Sequence, residues 1–140
     1  MDVKSSQATG NAAMHFAAWQ LSRRGWNVMP TARNAKGSDL FCANDDESIM
    51  FGVQSKGLSK RYDVSLGKRS SKKPDVLDSL RSKWWIITVF ANDDEPRCFI
   101  LNLDEVQALA VENSDGSHWL PSRDFMVDKF EDAWHRLESE

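Results

Sequence analysis

Residues 37–57 read GSDLFCANDDESIMFGVQSKG, and the pattern in this stretch decides the fold. Ser38 to Ala43 has strand character and runs into the turn-forming Asn44-Asp45-Asp46. Ser48 to Ser55 is the returning strand, with Ile49, Phe51 and Val53 alternating as a half-buried strand requires. Asp39 stands at the start of the first strand. Gln54 and Lys56 stand two apart at the end of the second, so their side chains project to one face.

Upstream of this hairpin, Met14, Ala17, Ala18 and Leu21 recur at helical spacing. They predict a helix over about Asn11 to Arg24, with cap chemistry at Thr9 to Asn11 and a stop at Gly25. Trp26 to Thr31 follows as a strand. Downstream, Lys56 to Pro74 has no clear period and reads as a long loop, a kind of segment that in compact domains is usually functional. Asp75 to Ser82 reads as a short helix behind Pro74. Trp84 to Phe90, WWIITVF, is a continuous apolar run expected of a central strand covered on both faces. Arg97 to Asn102 is a further strand and Asp104 to Val111 a helix. Asp124 to Leu137 reads as a final amphipathic helix with Phe130, Ala133, Trp134 and Leu137 on one side.

The order α-β-β-β-α-β-β-α-α predicts an α/β fold with a central mixed sheet flanked by helices. The 140 residues fit one domain, with a core over about 10–102 and a helical extension over about 103–140. A domain of that size needs no metal or disulfide staple to fold. Cys42 and Cys98 each lie in a strand without metal-type spacing, so both are expected as reduced thiols in a core. Three scattered histidines argue against a zinc site. No apolar run approaches a membrane span, and MDVKSSQATG lacks the apolar core of a signal peptide, so a cytoplasmic protein with no membrane partner is expected.

The net charge of −3 conceals a segregation. Lys56, Lys60, Arg61, Lys68, Arg69, Lys72 and Lys73 face one acid, Asp63, within 56–73, a local balance of +6. Residues 92–140 carry four bases and thirteen acids, a balance of −9. Because screening limits each charge to about 10 Å, the basic segment can attract phosphate even on an acidic chain.

The motifs Gly37-Ser38-Asp39-Leu40 and Gly52-Val53-Gln54-Ser55-Lys56-Gly57, with 15 residues from Asp39 to Gln54, resemble the paired motifs of PD-(D/E)XK nucleases. That group includes restriction enzymes and Holliday junction resolvases. The stretch GNAAMHFAAWQLSRRGWNV also resembles the opening helix and strand of the group. The resemblance spans about Gly10 to Phe90 and implies an αβββαβ core of the restriction endonuclease type. It implies catalysis by Asp39, Gln54 and Lys56, with Mg²⁺ or Mn²⁺ held by Asp39, the Gln54 amide oxygen and the Ser55 carbonyl. Such a metal polarises the phosphoryl group and activates the attacking water, and a hard cation of this kind takes few protein oxygens. Lys60, Arg61, Lys68, Arg69, Lys72 and Lys73 would then hold phosphates of a nucleic-acid partner, DNA by the resemblance, without reading bases.

This sequence departs from the group's pattern twice. Gln54 stands where an acid is usual. The helix position that often carries glutamate falls on Met14, or on His15 after a one-residue slip, leaving His15 as an auxiliary candidate. The expectation is a metal-dependent endonuclease of repair, recombination or defence. Its alternative is a catalytically lapsed module that still binds nucleic acid or a protein partner, the acidic C-terminal half being the surface for the latter. Trp119, Trp134, Phe125 and Phe130 could also form a homodimer face.

Overall fold

The structure, a computed structural model, describes residues 5–32 and 37–139. It opens with helix α1 (Ser6–Arg23), which starts before the expected Asn11 because Ser5 caps it: the Ser5 hydroxyl accepts a bond from the Ala8 N–H at 3.0 Å. Thr9, Ala13, Ala17 and Leu21 form its buried stripe, and Met14 is half-buried beside them. Strands β1 (Asn27–Pro30), β2 (Leu40–Ala43) and β3 (Met50–Leu58) then form the antiparallel meander that the hairpin pattern implied. β5 (Trp84–Val89) pairs parallel to β3, and β6 (Arg97–Asn102) antiparallel to β5. The result is a mixed sheet of order β1-β2-β3-β5-β6. Every residue of β5 is buried, as its unbroken apolar run requires.

Helix α1 covers one face of this sheet, with Leu40, Cys42, Val53, Trp84 and Ile86 beneath it. Its close approach depends on Gly57, where a Cβ would stand 2.6 Å from the Ala13 Cβ and 2.9 Å from the Thr9 carbonyl oxygen. Gly57 therefore lies inside a strand and lets the helix pack closely against it. Cys42 and Cys98 are free and buried, and burial pushes both thiols up to about 12.

Two expectations of local structure are corrected. The stretch from Lys56 to Pro74 is not one long loop: β3 runs on to Leu58, and Val64–Lys68 forms a further strand, β4. β4 joins β8 (Ser117–Leu120) and β7 (Val111–Glu112) in a second sheet of order β4-β8-β7. Val64, Leu66 and Leu120 of this small sheet pack against Trp85, Ile87 and Val89, on the face of the main sheet away from α1. Short α2 (Val76–Ser79), capped by Asp75, and α3 (Leu103–Leu109) complete that side.

Nor do residues 124–137 form one helix. Short α4 (Ser122–Phe125) and α5 (Arg136–Ser139) flank an irregular stretch. Phe130, Ala133, Trp134 and Leu137 are all buried, as their spacing suggested. Their backbone, however, is tied to β6: the Ile100 N–H donates to the Phe130 carbonyl at 2.9 Å and the Asp132 N–H to the Cys98 carbonyl at 3.0 Å. Covering the exposed edge of β6 outweighs helical propensity here. Phe125, Phe130 and Trp134 are thus taken up by the chain's own core, and Trp119 is half-buried. Among the described residues no helix is long and apolar enough to cross a membrane.

Candidate active site

β2 begins at Leu40, opposite Val53, and immediately before it the Asp39 N–H donates to the Val53 carbonyl at 2.9 Å. β2 starts at Leu40, so beyond that point the Ser55 N–H has no strand partner. The Asp39 carboxylate takes its place: Oδ2 accepts from the Ser55 N–H at 2.8 Å and from Gln54 Nε2 at 3.0 Å. Oδ1 accepts no hydrogen bond among the described residues. Thr31 Oγ1 donates to the Ser38 and Asp39 carbonyls at 2.9 and 3.1 Å, fixing the entry into the strand.

Lys56 lies two residues along β3 on the face that Gln54 occupies, with its ammonium 5.8 Å from the centre of the Trp85 ring. Burial lowers its pKa below the ordinary lysine value, and the nearby Asp39 carboxylate opposes that shift. The structure therefore brings Asp39, Gln54 and Lys56 together at the end of one hairpin. The N–H and C=O of a strand residue point to the same side, so the Ser55 carbonyl faces the Asp39 edge. The Ser55 hydroxyl is buried on the α1 side without a hydrogen-bond partner.

His15 is exposed on α1 and makes no hydrogen bond to Asp39, Gln54 or Lys56 among the described residues. The structure does not join it to the cluster. Met14 packs into the core beneath α1, so this helix supplies no carboxylate there. No group of three or more His, Cys, Asp or Glu side chains arranged for a metal occurs among the described residues.

The expected phosphate-binding bases separate into three places. Lys60 lines a hollow of about 330 Å³ with Ser6, Thr9 and Tyr62 at the start of α1, and Arg61 is exposed nearby. Lys68 and Arg69, at the end of β4, face the acidic C-terminal segment. Arg69 pairs with Glu112 at 3.0 Å, and Asp115, held ionised chiefly by hydrogen bonds from Ser117, also feels Lys68. Lys72 and Lys73 line an open groove of about 990 Å³ walled by Ser38, Gly52 and Phe41, beside the Asp39 cluster in the chain.

Comparison with known proteins bears on this architecture. No protein-family model and no curated protein matches the sequence. Among solved structures the chain is similar to a bacterial homing endonuclease, I-Ssp6803I, with a TM-score of 0.63 at 19% identity. The match covers 96% of this chain and 93% of that one.

The chain has a nuclease-like fold.

Within this nuclease-like fold the groove also holds residues that the sequence did not single out. Arg81 and Ser82 close it from the segment before β5. The Arg81 carbonyl is anchored by Trp85 Nε1 at 3.1 Å, and Ser82 takes a left-handed φ of 76°, unusual for a non-glycine residue. Ser82 and Ser38 share a hydroxyl hydrogen bond of 2.5 Å. Gly52 makes room for it, since a Cβ there would overlap the Ser38 hydroxyl. These residues are far apart in the chain, and the parallel pairing of β3 with β5 is what unites them.

Proposed function

We propose that this chain is a metal-dependent endonuclease that hydrolyses phosphodiester bonds in DNA, with Asp39, Gln54 and Lys56 as its active site. One observation carries the reading: a carboxylate hydrogen-bonded to Gln54, with the half-buried Lys56 amine close enough to feel its charge, within a nuclease-like fold. The donors suit a hard cation, because Asp39 Oδ1, the Gln54 amide oxygen and the Ser55 carbonyl are all oxygens and leave room for waters. Mg²⁺ or Mn²⁺ held there would supply the Lewis acid and the activated water.

The chain's own residues account for the rest. The Ser55 N–H and Gln54 Nε2 fix the carboxylate, so no reorganisation is needed when substrate arrives. Lys56, half-buried over Trp85, offers a charge-assisted donor to a phosphate oxygen or to the attacking water. Lys72, Lys73 and Arg81 neutralise phosphates along the groove and position the strand without reading its bases.

A second reading, a lapsed module that only binds nucleic acid, is favoured by a specific observation. Met14, half-buried against the core, offers no metal ligand from α1, and Asp39 is the cluster's one carboxylate. The two readings separate on supercoiled plasmid and on RNA incubated with Mg²⁺ or Mn²⁺. Nicked or linear plasmid that disappears with EDTA supports the enzyme. Intact substrates, from the wild type and from Gln54→Glu alike, together with retained binding support the module.

A further inference from the structure

Phe41 is 46% exposed on a four-residue strand whose other members are all buried. Leu40 and Cys42 face the core beneath α1, so strand alternation turns Phe41 to the opposite face, and Asp39 lies two residues before it in the chain. Its cross-strand partners are Met29, 44% exposed, and Gly52, which has no side chain. The ring lies over Gly52 by one edge, with Cε1 3.3 Å from where a Cβ would be. The groove that this ring walls contains Lys72, Lys73 and Arg81 and no acidic residue.

We propose that Phe41 is a nucleobase-stacking residue, and that the substrate strand reaches Asp39 with a base unstacked against this ring. The inference rests on the reading of the groove as a nucleic-acid path, and adds to it the form of the substrate: unpaired DNA, or a site whose bases open readily. A polyanion with π-faces matches both parts of the surface, the cations and the exposed ring. A second copy of the chain matches less well, because a two-fold contact through this face would bring its three cations against their own copies.

The test is fluorescence anisotropy with a labelled single strand and with its duplex, in EDTA so that cleavage does not intervene. Phe41→Ala should weaken single-strand binding about 5- to 150-fold, the range of base–aromatic stacking, with a smaller effect on the duplex. Phe41→Tyr should retain wild-type affinity. Phe41→Leu, which keeps apolar bulk but has no π-face, should not. A 2-aminopurine base in the strand should change its fluorescence on binding to wild type and not to Phe41→Ala. Phe41→Leu binding as tightly as wild type overturns the inference and leaves the nuclease reading standing. So does a Phe41→Ala variant that alters the sedimentation coefficient but not the affinity, which would mark the face as a contact between copies. If neutralising Lys72, Lys73 and Arg81 together leaves affinity unchanged, the groove itself is wrong and both readings fall.

Discussion

Replacing Gln54 by glutamate probes the cluster with the least change in shape. The amide nitrogen that now donates to Asp39 Oδ2 at 3.0 Å would become a carboxylate oxygen at the same place. Two full charges at that separation repel by about 5 kcal/mol at an effective permittivity of about 20, and the lost hydrogen bond adds about 1 kcal/mol. Rotation of the new side chain, uptake of a proton and the Lys56 ammonium relieve most of this. The net loss expected without metal is about 1–3 kcal/mol, or roughly 4–12 °C in Tm for a domain of this size. A divalent cation turns the repulsion into ligation. At about 100 times its Kd it returns about 2.7 kcal/mol. Gln54→Glu should therefore melt below wild type in EDTA and gain more from Mg²⁺ than wild type does. The assay is thermal unfolding across a Mg²⁺ series. Equal Mg²⁺ responses from the two proteins would refute the assignment of a cation site to this pair.

Three further outcomes follow from the same geometry. Lys56→Met should abolish cleavage yet stabilise the fold at neutral pH. The native lysine, with its pKa lowered by burial, gives up its proton more readily than in the unfolded chain, so wild-type stability should rise as pH climbs from that lowered value towards 10.5, and the variant should lack the rise. Neutralising Lys72, Lys73 and Arg81 should flatten the salt dependence of DNA binding by about 0.9 log units per lost phosphate contact, while neutralising Lys68 and Arg69, which face Asp115 and Glu112, should barely change it. Gly52→Ala should cost about 1–3 kcal/mol in chemical denaturation because its Cβ overlaps the Ser38 hydroxyl, and adding Ser38→Gly should recover much of that loss.

The parts of this molecule that read well from sequence are those whose partners are close in the chain. The turn residues Asn44–Asp46 and the alternation of Ile49, Phe51 and Val53 marked the hairpin that brings Asp39 and Gln54 together. The run Trp84–Val89 signalled a central strand through its unbroken burial. β4 escaped notice because it offers only Val64 and Leu66 as a pattern, and its partner β8 begins at Ser117. The segment from Asp124 to Leu137 misled in the opposite way. Phe130, Ala133, Trp134 and Leu137 fit a helical stripe and are buried, but hydrogen bonds to Cys98 and Ile100 determine the backbone. The same rule divides the site. Asp39, Gln54 and Lys56 share a hairpin, whereas Arg81 and Ser82 reach the groove at Ser38 and Gly52 only through the parallel β3–β5 pairing. Charge counting found the basic segment, but not that Arg69 is held by Glu112.

The central claim, hydrolysis of DNA at Asp39 with bound metal, is tested most directly by measuring binding and single-turnover cleavage on one oligonucleotide with wild type and Asp39→Ala. Oδ2 accepts the Ser55 N–H and Gln54 Nε2, so the variant leaves one backbone donor unpaired at a cost of about 1–3 kcal/mol, and the comparison is made below the melting range of both proteins. Mg²⁺-dependent cleavage by wild type, none detectable from Asp39→Ala, and DNA affinities within a few-fold of each other are expected, because the proposed phosphate contacts are Lys72, Lys73 and Arg81. Cleavage by Asp39→Ala at the wild-type rate would contradict the assignment of the site to Asp39.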